Sequence, residues 1–399
     1  MAALPVMDLA TFRELLQPRG QAALAAATAL APTEATALAC LTRLRRRYPP
    51  ALAAAALDQA LLRRKAAARG KFARADRMYF TREGLEQATG ETIARYRARR
   101  YAPCGAVADL ACGLGGDALA LAADHPVLAV DRDPLRLALA RENARAYGVA
   151  ARLQPVLADL ATLPPPRADA LFCDPARRTA TGRRVFTTRD YRPPLGLVVG
   201  WRERVPALGV KISPGVDYAE LPPAAEAEVE FIAERGELKE AVLWFGPLRT
   251  AARRATLLPG EHTLATDGGP PPPVACAPPG RVLYEPDPAV IRAHLVEDLA
   301  ARLGAAKLDP EIAYLTADAA SPTPFARAYA IEEALPFSLK RLAARLRDLD
   351  AGEVTVKKRG SPLDTDALAR RLRGAGAHPW TVVLTRVLGR PYALVCRGA

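Results

Sequence analysis

The chain has 399 residues, half of them apolar and a quarter charged, as expected of a globular protein with two or three domains and sizeable cores. It holds no run of 18 or more apolar residues and no N-terminal basic stretch followed by an apolar core and cleavage site. A membrane span and a signal peptide are therefore not expected, and a cytoplasmic location is. The formal charge of +13 is segregated, with +10 over residues 1–100, −5 over 101–339 and +8 over 340–399.

Basic flanks around a mildly acidic middle are the electrostatic footprint of a polyanionic partner, most simply RNA or DNA. An arginine-rich composition alone accounts for the choice of Arg but not for its segregation. Six cysteines (40, 104, 112, 173, 276, 396) and four histidines (125, 262, 294, 378) are scattered, so no metal site or disulfide framework is expected. Cys112 and Cys173 read as small packing residues.

Residues 1–100 read as a basic helical domain. Asp8 can cap a helix through TFRELL, and Thr33 another through EATALACLTRLRRRY. Pro49-Pro50 breaks that helix, and the pattern resumes in ALAAAALDQALLRRKAAARGKFARA. Thr81 can cap one further helix through REGLEQATGETIARYRARR. The basic runs around Arg43–Arg47 and Arg63–Arg74 are either solvated helix faces or phosphate contacts. Tyr79, Phe80 and Tyr96 fit helix packing better than base stacking.

Residues 101–270 change character. Apolar runs at 106–110, 127–130, 153–157, 169–173 and 207–212 read as buried parallel strands, with helices at 117–123 and 134–146 between them. Right-handed crossovers make this a doubly wound α/β sheet with its ligand at the carboxyl ends of the strands. ELKEAVLWFG (237–246) and RRATLLPG (253–260) read as the late strand pair that closes it. The centre of this region is AVADLACGLGGD (106–117), which reads as strand, tight glycine loop and helix. Gly113-x-Gly115-x-x-Ala118 satisfies the loose dinucleotide pattern, with Asp131 near the ribose distance. That pattern calls for an apolar strand up to the first glycine, whereas Asp109 lies inside this one. An acid there suits a ligand with a cationic end, such as S-adenosylmethionine (SAM).

Asp109-Leu110-Ala111-Cys112-Gly113-Leu114-Gly115-Gly116 resembles motif I of the class I SAM-dependent methyltransferases, and the following segments keep that family's order. VLAVDRDP (127–134) resembles its second strand, and VLADL (156–160) its third. ALFCDPARR (170–178) resembles motif IV, the catalytic loop. The resemblance implies a Rossmann-like core binding SAM through Asp109, Ala111, Gly113, Gly115, Gly116, Asp131, Arg132, Asp159 and Leu160. Asp131 would meet the ribose and Asp159 the adenine amino group. Asp174, Pro175 and Arg177 would be the catalytic loop, with Arg178 and Lys211 on the substrate side.

Pro and Gly crowd residues 259–280, a linker by composition. Residues 271–399 then read as an α+β domain. RVLYEPDPAVIRAHLVEDLAARLGA offers a strand and a helix, and IAYLT another strand. LPFSLKRLAARLRDL is a basic amphipathic helix, and GEVTVKKRG a strand ending in Lys357, Lys358 and Arg359. TVVLTRV and PYALVC flank Leu388-Gly389-Arg390, a hairpin turn. This order, with KKRG, resembles the ferredoxin-like, THUMP-like domain of one bacterial methyltransferase group. The resemblance implies RNA binding, with Lys357, Lys358 and Arg359 as substrate contacts.

Amino-directed nucleic-acid methyltransferases carry Asp/Asn-Pro-Pro and an aromatic in motif IV. This chain keeps Asp174-Pro175 but follows them with Ala176 and Arg177, so in place of the stacking ring Arg177 and Arg178 would either stack by their guanidinium planes or hold a phosphate. DLACGLGGDA, DRDP and ENARAYGV also resemble trimethylguanosine-synthase-like enzymes, which narrows the expected acceptor to a guanine exocyclic amine in tRNA or rRNA. Three alternatives stay open: a protein or small-molecule acceptor, a non-catalytic protein that binds SAM and RNA, and a nicotinamide-dependent oxidoreductase.

Overall fold

A computed structural model describes residues 7–162, 164–176, 187–223 and 225–398. The chain forms two compact units, Met1–Ala227 with Val242–Thr250, and Glu228–Ala241 with Ala251–Ala399.

The first unit begins with six helices: α1 (Leu9–Leu15), α2 (Pro18–Ala29), α3 (Ala37–Arg45), α4 (Pro50–Ala68), α5 (Arg82–Gln87) and α6 (Glu91–Ala98). Asp8 caps α1, accepting from Thr11 N–H at 2.8 Å, and prolines occupy the first positions of α2 and α4, where a missing N–H costs nothing. The alanines of α4 are buried nearly all round, and these small side chains let α1, α2 and α3 pack closely on it. The helix expected from Thr33 starts only at Ala37, because Thr33 and Thr36 close a turn of their own through their hydroxyls. The single helix expected after Thr81 is two. Ala88 leaves the helical region at ψ 140 and Gly90 caps α6, so Thr89 sits in the break.

The sheet of this unit contains β1 (Val107–Leu110), β2 (Val127–Asp131), β3 (Leu153–Leu157), β4 (Ala170–Cys173) and β5 (Ala207–Ile212), all parallel, in the order β3-β2-β1-β4-β5. Helices α7 (Gly116–Leu121), α8 (Pro134–Tyr147) and α9 (Leu195–Gly200) connect them. Strands β1, β4 and β5 are buried along their whole length, as apolar runs of parallel sheets are. The chain leaves β1 toward β2 on one side and later returns to β4 on the other. The carboxyl ends of β1 and β4 therefore border a topological switch point.

The second unit takes strand β6 (Ala227–Glu234) from Glu228 on, β7 (Glu237–Phe245) as far as Ala241, β8 (Arg253–Leu258) and β9 (His262–Thr266); β6 lies between β7 and β8, and β9 pairs antiparallel with β8. β6 was not expected, although AEAEVEFIAE alternates acids with apolar residues as a half-buried strand does. Its acids are nonetheless buried: Glu228 accepts from Arg254 at 2.7 Å and from Ala251 N–H at 3.0 Å, and Glu230 accepts from Thr256 Oγ1 at 2.5 Å. β9 also takes the first part of the expected linker.

The rest of this unit is a seven-stranded sheet. Its elements are β10 (Val282–Pro286), α10 (Pro288–Arg292), α11 (Val296–Leu303), β11 (Ala306–Asp309), β12 (Ile312–Ala317), β13 (Ala326–Pro336), α12 (Leu339–Asp348), β14 (Ala351–Lys358), α13 (Thr365–Leu372), β15 (His378–Val387) and β16 (Arg390–Gly398), with strand order β11-β12-β10-β13-β16-β15-β14. Leu342 and Leu346 of α12 and Leu368 and Leu372 of α13 share one core with Trp380 and Val382, so both helices cover one face. Leu388 and Gly389 turn the β15–β16 hairpin at φ 48 and 80, the left-handed pair expected of a two-residue loop.

Candidate active site

The glycine loop leaves β1 with three positive φ angles: 62 at Ala111, 57 at Gly113 and 84 at Gly115. Gly115 is favoured by its positive φ and by packing, since a Cβ there would stand a tight 3.1 Å from that of Ala140 on α8. Among the described residues, a Cβ at Gly113 would meet nothing within 4 Å. The loop is held from below. Asp131, at the end of β2, is buried and accepts from Gly113 N–H at 3.0 Å through one oxygen and from Asp133 N–H at 2.9 Å through the other. Asn143 of α8, a residue the sequence reading did not single out, donates to Leu114 C=O at 3.1 Å. Its signal was helical phase, since Asn143 shares the inward face with Leu139, Ala140 and Ala144.

Asp109 is 1% exposed, and its Oδ2 has no hydrogen-bond partner among the described residues. Burial pushes its carboxyl well above the usual range, and the nearby charges of Asp117 and Asp174 push the same way against Arg97. Asp174 follows β4 and its side chain is 23% exposed. Its Oδ2 accepts from Lys211 Nζ at 2.6 Å. Lys211 comes from β5 and also donates to Thr89 Oγ1 at 3.0 Å. Arg97 donates to the same hydroxyl at 3.1 Å, pairs with Asp117, and lies over the Phe172 ring at 4.6 Å. Among the described residues, three acids thus face two buried cations in one cluster. Such a surplus, with an orphaned carboxylate oxygen beside an open glycine loop, fits a cationic ligand.

The other expected residues fall around this centre. Asp159 is half-buried and accepts from Ala161 N–H at 2.9 Å, Leu160 is buried, and Arg132 is exposed. Pro175 is buried, and Ala176 forms a two-way bridge with Arg192. Arg177 and Arg178 lie outside the described residues. Burial, with the nearby acids, raises the thiols of Cys112 and Cys173 well above their usual range, so both stay protonated packing groups. Tyr79 and Phe80 are buried against Phe12 and Phe72. In the second unit, Lys357 pairs with Glu285 at 2.5 Å, Lys358 donates to Leu363 C=O at 2.7 Å, and Arg359 donates to Ala313 C=O at 2.6 Å over the Tyr314 ring. Among the described residues no group of His, Cys, Asp and Glu could hold a metal ion, and no helix is long and apolar enough to cross a membrane.

Over 357 residues, 86% of its length, the chain is 40% identical to an uncharacterized S-adenosylmethionine-dependent methyltransferase of Mycobacterium tuberculosis strain H37Rv, and the match spans 96% of that protein. The chain belongs to the SAM-dependent methyltransferases. Residues 104–191 of this methyltransferase match the RNA cap guanine-N2 methyltransferase family, residues 326–398 the THUMP domain-like family, and residues 8–66 a domain of unknown function. Over 102 residues, a quarter of the chain, it is 37% identical to a release factor glutamine methyltransferase of Cereibacter sphaeroides, covering 36% of that protein. A crystal structure of a methyltransferase from Porphyromonas gingivalis W83 superposes with a TM-score of 0.78 at 22% identity, covering 99% of this chain and all of the other, and so shows the same fold.

The enzyme's cofactor is SAM. When bound, it supplies a methyl group on a sulfonium sulfur, which leaves by in-line displacement while sulfur keeps the bonding pair. The residues present fit it: Asp109 offers a buried carboxyl whose ionised form a cationic ligand would favour, and the described residues leave room at Gly113.

Proposed function

We propose that this methyltransferase acts on RNA, with the exocyclic amine of guanine as the narrower acceptor. We also read its chain as a helical domain over 1–100, a SAM-binding domain over 101–270 and a THUMP-like domain over 271–399. The carrying observation is Asp174: a partly exposed carboxylate at the carboxyl end of β4, in the region that matches an RNA guanine-N2 family. A carboxylate there accepts a hydrogen bond from an acceptor N–H, turns the nitrogen lone pair toward the methyl group, and offers a sink for the proton released after transfer. The basic flanks support a polyanionic substrate, which they attract and hold through its phosphates. Asp109, Ala111, Gly113, Gly115, Gly116, Asp131, Arg132, Asp159 and Leu160 would hold SAM.

A second reading, a protein amide as acceptor, is favoured by the likeness to the glutamine methyltransferase over a quarter of the chain. It uses the same N–H chemistry. Transfer of label from tritiated SAM into a gene-deleted cell extract, divided into RNA, protein and small-molecule fractions, separates the two. Ribonuclease-sensitive label, lost with Asp174→Ala, is the expected result. Label in protein would overturn the RNA reading.

A further inference from the structure

We infer that Lys211 and Thr89 are positioning residues of methyl transfer, locking the Asp174 carboxylate with Oδ2 turned inward and Oδ1 left to the acceptor. This rests on the reading of Asp174 as the group that orients the acceptor nitrogen.

Lys211 is the one charged residue of β5, a strand buried at all six positions, and is itself 5% exposed. A buried ammonium is tolerated only when paired, and replacing a buried ion pair by apolar residues is often neutral or stabilising. Stability therefore gives no sufficient account of a lysine here. Its geometry does: Nζ holds Asp174 Oδ2 at 2.6 Å and is itself fixed by Thr89 Oγ1 at 3.0 Å. The Thr89 hydroxyl accepts from Lys211 and from Arg97 Nη2, so both its lone pairs are engaged by cations. Arg97 is in turn held by Asp117 in the first turn of α7.

A chain of charge-assisted bonds thus runs from the glycine-loop helix, through the α5–α6 break, to the catalytic loop. Such bonds are short and directional, and they restrict the carboxylate's rotamer. Among the described residues none bonds Oδ1 of Asp174. A carboxylate held by one oxygen presents the other in a fixed direction, which is what an N–H acceptor in an in-line displacement requires.

The test compares the wild type with Lys211→Met, Lys211→Arg, Thr89→Val and Asp174→Asn, using tritiated SAM and RNA extracted from a strain lacking the gene. SAM affinity is measured without RNA by calorimetry, and crystal structures of the wild type and Lys211→Met give the Asp174 rotamer. We expect Lys211→Met to lower kcat on the order of a hundredfold, as small misplacements of reacting groups do. The SAM Kd and the RNA KM should move less than about threefold, and Asp174 should leave its wild-type rotamer. Lys211→Arg should recover most of kcat, and Thr89→Val should fall between. If Lys211→Met does not fold, the isosteric Thr89→Val carries the test alone. A Lys211→Met enzyme with wild-type kcat beside an inactive Asp174→Asn would overturn the positioning role and leave the reading of Asp174 standing. Loss of SAM affinity in step with kcat would make Lys211 a cofactor ligand and overturn it too. Full activity in Asp174→Asn would sink the reading of Asp174 itself.

Discussion

The side chain of Asn143 pairs with both backbone groups of Tyr79, accepting from its N–H at 2.7 Å and donating to its carbonyl at 3.1 Å. Gln59 on α4 does the same to Phe80 from the other side, at 2.9 and 2.7 Å. Two buried amides thus supply to residues 79 and 80 the hydrogen bonds that neighbouring strands would give. The stretch between α4 and α5 is fixed against α8 without belonging to any sheet.

Asn143→Leu should therefore destabilise the protein by about 2–4 kcal/mol, since it strands three buried backbone groups. It should also weaken SAM binding, because one of them is Leu114 C=O in the glycine loop. Gln59→Leu should cost about 1–3 kcal/mol and leave SAM affinity within roughly twofold. Denaturant melts and SAM calorimetry on both variants check the contrast.

Asp109 predicts a pH dependence. Its folded-state pKa is raised by burial and by Asp117 and Asp174, so the stability it contributes is full below the ordinary carboxylate value. That contribution is lost as pH rises from about 4 through the raised value. Asp109→Asn should stabilise the ligand-free protein near neutral pH, by on the order of 1 kcal/mol, and weaken SAM binding. A cationic ligand favours the ionised acid, so wild-type affinity should rise with pH across the same window with release of up to one proton. Calorimetry in buffers of different ionisation enthalpy measures that release, and Asp109→Asn should abolish it.

Gly115→Ala should cost about 1–2 kcal/mol from its positive φ alone, with more from the approach of Ala140. Because the strain falls on the glycine loop, the SAM Kd should rise together with the loss in Tm. A variant that melts earlier but binds SAM normally would show that the loop accommodates the methyl group.

RNA binding should carry a steep salt dependence. With six or more phosphates neutralised by the basic flanks, affinity should fall at least about a thousandfold between roughly 50 and 200 mM salt. SAM affinity should change little over the same range. Filter binding with the extracted RNA gives the slope, and a flat one would argue for a protein acceptor.

The sheet and the glycine loop were legible because they depend on local signals. An apolar run followed by Gly113-Leu114-Gly115-Gly116 reads the same in any context, and Asp109 within the strand separates a cationic ligand from a dinucleotide. Features that depend on distant partners were not legible. The helical pattern runs on through Ala88-Thr89-Gly90, so the break that delivers Thr89 to Lys211 looked like one helix. Strand β6 was hidden by Glu228 and Glu230, which read as surface until Arg254 and Thr256 are placed beside them. Lys211 was expected on the substrate side, but its pairing with Asp174 comes only from the adjacency of β4 and β5.

The α5–α6 break has a practical consequence for cutting the molecule. Composition invites a scissile point near residue 101, where the basic helical part meets the strands. A fragment starting there would lose Thr89 and Arg97, leaving the buried Lys211 without its hydroxyl and Asp117 without its guanidinium. It would also strip Tyr79 from Asn143. A minimal folded fragment therefore has to retain the helices that carry Thr89, Arg97 and Tyr79.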